Sequence, residues 1–159
     1  MHIIDGTTPA SGLRLALVVS KYNDFVTDRL QAGAVAGLHH AGIPAERIVV
    51  VRVPGAFEIP TAARQTALSG RFDAVVCLGC LIKGATPHFD FIAAAVAHGL
   101  VSAAAETGVP MTFGVLTTNS AEEALERAVD GPSNKGWEAA IAALEMATVA
   151  RALHPGASR

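Results

Sequence analysis

Apolar residues fall in short dense runs separated by longer stretches with helical spacing. Residues 13–20 (LRLALVVS) form a nearly unbroken apolar run, as expected of a strand covered on both faces. The same signal returns at 47–53 (RIVVVRV), 73–80 (DAVVCLGC) and 111–118 (MTFGVLTT). A helix is expected from Asn23 or Asp24, either of which can cap it, to about residue 41, where Gly42 ends it. Others are expected over 59–68, stopped near Gly70, and from a Thr86-Pro87 cap to about residue 107. Ser120 and Glu123 have capping-box spacing before a short helix to about residue 129. After the Gly131-Pro132 break, residues 137–153 read as a final helix. Strand and helix alternate, so the expected fold is one α/β domain over residues 1–159, a parallel sheet with helices on both faces. Ligands in such folds sit beyond the carboxyl ends of the strands. That rule selects residues 21–24, 54–58, 81–88 and 117–120.

Composition narrows the setting. Apolar residues make up 51% of the chain but aromatics only 5%, so the interior is built from small aliphatic side chains. A chain this short cannot easily hide so much apolar surface alone, which suits helices buried against other subunits. A net charge of −2 leaves no basic field for a nucleic-acid backbone. The most apolar window, 89–105, carries Asp90 and His98, whereas a spanning helix needs about 20 nearly uncharged residues; no membrane segment is expected. The opening MHIID lacks the basic-then-apolar pattern of a signal peptide, and there are two cysteines. The expected location is therefore a reducing cytoplasm.

Three patterns fail on inspection. Residues 79–86 (GCLIKGAT) have P-loop glycine spacing, but Ala85 stands where the phosphate-binding lysine belongs. Cys77 and Cys80 have redox-motif spacing, yet three residues along a strand is roughly 10 Å with opposite facing, too far for a disulfide. No second Cys or His pair completes a zinc site. His39 and His40 close a helix, where the C-terminal dipole or solvent accounts for them.

Other residues carry chemistry. Residues 84–90 (GATPHFD) place small residues where a strand hands over to a helix, so unpaired N–H groups there make an anion site. Taken alone, the segment fits an ordinary helix cap with no ligand better. His88 falls in the first turn, where the dipole disfavours its protonation; it suits a proton shuttle, or a plain surface histidine. Glu58, in a loop between two prolines, suits a hydroxyl-rich ligand or simply a helix N-terminus. Arg127 and Lys135 flank the Gly131-Pro132 break and read alone as solvated charges.

Segments 55–60 (GAFEIP), 81–90 (LIKGATPHFD), 113–118 (FGVLTT), 122–127 (EEALER) and 134–137 (NKGW), in that order, resemble the motifs of the lumazine synthases. The resemblance runs from residue 3 to about residue 153, and its GATPHFD run is highly specific. It implies a three-layer, flavodoxin-like fold with a four-stranded parallel sheet and an N-terminal segment adding a strand to a neighbouring subunit. The implied transferase reaction joins 5-amino-6-(D-ribitylamino)uracil to 3,4-dihydroxy-2-butanone 4-phosphate, giving 6,7-dimethyl-8-ribityllumazine, phosphate and water. Neither metal nor organic cofactor is expected.

By the same resemblance Tyr22 stacks on the heterocycle, and Ala56, Phe57 and Glu58 form the ribityl loop. Cys80, Leu81 and Ile82 line the ribityl and pyrimidine groups. Ala85, Thr86 and Arg127 hold the phosphate, and His88 transfers protons. Phe113 walls the pyrimidine, with Lys135 near its ring. The family implies a homo-oligomer of pentamers, a sixty-subunit shell, sites shared between subunits, and riboflavin synthase as a further partner. Tyr22 stands where Phe or Trp is commoner, Lys83 where Arg is frequent, and Cys80 where a small or hydroxylated residue is usual. Residues 129–133 lack the lysine of the usual loop. The rival readings are a flavin or lumazine carrier and a shell protein with little catalysis. A carrier has no need of His88 or Arg127.

Overall fold

The computed structural model describes residues 1–7 and 12–156. Four strands, β1 (Leu15–Ser20), β2 (Ile48–Val53), β3 (Ala74–Ile82) and β4 (Met111–Thr118), form one parallel sheet in the order β2-β1-β3-β4. Alternation along β1 builds two cores at once. Leu15, Leu17 and Val19 pack with Leu30, Leu38 and Leu144 from α1 (Asp24–His40) and α5 (Lys135–Leu153). Ala16 and Val18 pack with Ile59, Ala63, Val96 and Leu100 from α2 (Ile59–Leu68) and α3 (His88–Thr107). The result is the expected three-layer, flavodoxin-like architecture.

Helix α1 lies close against α5 because glycines leave room. A methyl group at Gly33 would run into the Asn134 side chain, and one at Gly136 into the Leu30 carbonyl. A short α4 (Ala121–Glu126) follows β4, its start held by Ser120 Oγ accepting from the Glu123 N–H at 3.2 Å. Glu123 reaches back to the Asn119 N–H at 2.9 Å, one residue earlier than a capping box requires. The helix stops at Glu126, short of the expected residue 129.

Several sequence expectations need correction. Asn23 stands at the N-cap of α1 but makes no capping bond; its backbone is left-handed, with φ 59°. Thr86 does not cap α3, which begins one residue after Pro87. Helix α5 begins at Lys135 rather than at residue 137, because Asn134 caps it. Only the central strands are covered on both faces; β2 is an edge, and its Val49 and Val50 are exposed. Helix α3 is long and apolar enough to cross a bilayer by length and composition, but it packs on α2 and the sheet as a layer of the domain. Its outer face carries Phe91 and Val101, each 73% exposed. In the isolated chain residues 1–7 form no strand, and the Thr7 N–H donates to Thr148 Oγ1 at 3.0 Å. Part of the segment expected to join a neighbour's sheet, residues 8–11, lies outside the described residues.

Candidate active site

Strand order reverses between β1 and β3, and the crevice beyond their carboxyl ends gathers the first group of predicted residues. Backbone bonds draw the loop after β1 toward the end of β2: Lys21 N–H to Val53 O at 2.8 Å, and Tyr22 N–H to Pro54 O at 3.1 Å. Tyr22, 71% exposed, is thereby tied through its backbone to the start of the 54–58 loop. From the other side of the crevice, the Asn23 side-chain amide donates to the Cys80 carbonyl at 2.9 Å. That bond ties β1 to β3 and explains why a non-glycine residue is held in the left-handed region.

In the 54–58 loop, Ala56–Glu58 form one 3-10 turn. Glu58 Oε2 accepts from the Gly55 N–H at 2.9 Å, so the carboxylate closes its own turn, while Oε1 has no partner among the described residues. Ala56 is buried and Phe57 exposed. Cys80 is buried at the end of β3, with Leu81 and Ile82 half-buried after it. Burial pushes the Cys80 thiol up to about 11 and the Cys77 thiol higher still, so neither serves as a thiolate nucleophile. The two free thiols belong to opposite cores, as strand alternation requires.

Ala85, Thr86 and His88 are exposed where β3 hands over to α3. Asp90 and Phe91 donate to the Pro87 carbonyl at 3.1 and 3.3 Å, while the N–H groups of His88 and Phe89 have no acceptor among the described residues. These outward amides, at the positive end of a 20-residue helix, suit an anion. His88, the first residue of α3, is exposed at this helix start.

The second group lies apart. Phe113, Arg127 and Lys135 line a groove of about 500 Å³ between the free edge of β4 and the start of α5. No residue of the first group lines it. Phe113 is in register with Cys77, not with Cys80, so it sits well back from the strand ends. Thr118 lies five positions further on, roughly 16 Å along the strand. Arg127 Nη1 donates to the Glu123 carbonyl at 2.9 Å, finishing α4, and no carboxylate pairs with it among the described residues. Lys135 Nζ reaches Glu138 at 2.7 Å, a half-exposed pair that competes weakly for a ligand. The Lys135 N–H donates to the Arg127 carbonyl at 2.9 Å, so the two cationic residues close one loop.

A larger cavity, about 560 Å³, lies at the opposite end of the sheet among Arg14, Arg47, Asp73 and Arg151. There Asp73 accepts from the Arg14 N–H at 2.7 Å and from Arg151 at 3.1 Å, and Arg47 donates to the Gly12 carbonyl at 2.9 Å. These contacts tie the amino ends of the strands together, away from the switch point.

Sequence reasoning overlooked two asparagines. Asn23 reads as a helix cap and Asn134 only as part of the NKGW motif, and nothing in a sequence reveals that the first reaches Cys80 and the second Arg29 and Val129.

Comparison with known proteins identifies the family. Residues 12–151 match the family model described as 6,7-dimethyl-8-ribityllumazine synthase. Proteins of that name are similar to this chain over nearly their whole length. The one from Chlorobium chlorochromatii is 48% identical, over 95% of this chain and 99% of the relative. That of Syntrophus aciditrophicus is 47% identical, over 94% and 97%, and that of Desulfatibacillum aliphaticivorans 45%, over 94% and 96%. Family match, relatives and fold coincide, and the chain belongs to the 6,7-dimethyl-8-ribityllumazine synthase family.

Proposed function

We propose that this protein is a transferase condensing 5-amino-6-(D-ribitylamino)uracil with 3,4-dihydroxy-2-butanone 4-phosphate, yielding 6,7-dimethyl-8-ribityllumazine, phosphate and two molecules of water. This is the penultimate step of riboflavin formation. One observation carries the reading beyond family membership. The residues such a reaction needs are present but split between the strand ends and a separate groove on the β4 edge. Two copies of the chain, joined edge to crevice, bring the halves together. Each site then lies at an interface of a head-to-tail ring, which for this family is a pentamer, with twelve pentamers closing a sixty-subunit shell. The ring also covers the apolar outer face of α3 and the edge of the sheet. The expected setting is the cytoplasm, with riboflavin synthase as the enzyme that takes the product.

In the joined site Tyr22 stacks on the pyrimidine, with Phe113 of the adjoining copy as its wall and Lys135 near the ring. Glu58, through its unengaged oxygen, and the Ala56-Phe57 loop hold the ribityl hydroxyls beside Cys80, Leu81 and Ile82. Phosphate rests on the Ala85-Thr86 amides and the Arg127 guanidinium, a charge-assisted contact. The substrate amine attacks the ketone, and loss of water gives an imine. His88 then takes the proton whose removal drives β-elimination of phosphate, whose departing charge Arg127 and the helix amides stabilise. Tautomerisation and ring closure with loss of water complete the product. Much of the acceleration comes from holding two reactants in register.

Purified protein mixed with the two substrates, with no added metal or nucleotide, should form the lumazine faster than the uncatalysed mixture, followed by its fluorescence. A rate equal to the uncatalysed background would overturn the enzyme reading in favour of a carrier or shell.

A further inference from the structure

Asn134 is 1% exposed, and every hydrogen-bonding position of its side chain is occupied. Its Oδ1 accepts from the N–H groups of Gly136 at 2.7 Å and Trp137 at 3.4 Å, capping α5. Its Nδ2 donates to the carbonyls of Val129 at 3.0 Å and Arg29 at 3.2 Å. One buried amide thus joins three elements: the loop from Arg127 to Lys135, the start of α5, and α1. Gly33 makes the space for it. A helix cap needs only the acceptor half of this side chain. The donor half goes to the loop that carries Arg127 and Lys135, whose own backbone bond closes it at 2.9 Å.

We infer that Asn134 is a positioning residue: by pinning the loop to α1 it fixes where the Arg127 guanidinium stands, and so sets affinity for the phosphate-bearing substrate without touching it. The inference rests on the lumazine synthase reading above. A buried, fully bonded amide holds the loop in one arrangement, so that phosphate binding needs no further ordering of the loop. Asn134→Asp and Asn134→Ser keep an oxygen to cap α5 but lose the donation to Val129 and Arg29.

The test is steady-state kinetics of the assembled protein for both substitutions, alone and combined with Arg127→Ala, beside Arg127→Ala itself. Each single Asn134 variant should raise KM for the phosphate-bearing substrate about tenfold, the scale of a lost charge-assisted contact, with a smaller change in kcat. Added to Arg127→Ala, neither should raise that KM further, because the group it positions is gone. A purely structural role gives the opposite: lower melting temperature or active fraction at unchanged KM, or effects additive with Arg127→Ala. Either result overturns the inference, as does failure of both variants to assemble. Wild-type turnover separates the two claims. Its absence would sink the functional reading and this one with it, whereas turnover with unaltered KM in the variants sinks this one alone.

Discussion

His88 and Arg127 stand on unlike supports, and their replacements should fail differently. His88 opens a long helix with its ring in solvent, free to exchange protons. His88→Ala should lower kcat about 10²-fold or more, the usual loss for a proton-transfer group. Arg127→Ala removes a charge-assisted contact to phosphate and should raise KM for that substrate at least about tenfold, with less effect on kcat. Kinetics with each substrate varied in turn reads the split, and full kcat in His88→Ala would assign the proton steps to water or another group. Cys80 makes a separate prediction about pH. Burial raises its thiol from the ordinary 9.0 to about 11. The unfolded chain therefore loses that proton first, so the thiol's contribution to stability is complete below pH 9 and lost as pH rises toward 11. Urea midpoints between those pH values should fall less steeply in Cys80→Ala than in the wild type. Equal slopes would mean that the folded thiol titrates normally.

The junctions between elements are where strength is concentrated. Asn23 closes the turn from β1 into α1 in a left-handed conformation and bonds across to β3. Asn23→Gly removes the bond but accepts the backbone, at a cost of about 1 kcal/mol. Asn23→Ala removes the bond and adds the left-handed penalty, for a total of about 2–3 kcal/mol. Denaturant titration should thus rank wild type above Gly above Ala. The order Ala above Gly would show that the turn relaxes out of the left-handed region. The same residue illustrates how a helix start conceals tertiary content: the cap at Ser120 was legible, yet Asn23 caps nothing, and Asn134, which does cap α5, is not read as a cap from the sequence.

For the assembly, the division of site residues between crevice and β4 edge makes a decisive prediction. His88→Ala and Arg127→Ala chains, each impaired when the phosphate-bearing substrate is kept well below the raised KM of Arg127→Ala, should complement when refolded together in equal amounts. With random mixing, roughly a quarter of interfaces pair an intact His88 face with an intact Arg127 face, and about that fraction of activity should return. A site contained in one chain would leave mixed rings no better than the average of the two mutants, once subunit exchange has been demonstrated by labelling. Electron microscopy of the same preparations should show round hollow particles. Uniform pentamers would remove the shell but leave the shared site.

Nearly unbroken apolar runs marked the four strands, and the glycines and caps between them bounded the helices to within a few residues, because both signals are local. The GATPHFD segment likewise marked the freed amides of the proposed anion site, since amides freed at a helix start are a property of a few adjacent residues. What stayed hidden was everything set by approach between distant segments. That Val49 and Val50 lie on an open edge follows from strand order, which no strand's own residues encode. That Phe113 lines one groove with Arg127 and Lys135 follows from register, which the apolar pattern does not encode; the family resemblance alone assigns these three to a neighbouring subunit. The four bonds of Asn134 span residues 29 to 137, a distance only folding closes. Local free energies write the elements into the sequence; their mutual placement, and with it the two halves of the site, is settled by packing many weak contacts at once.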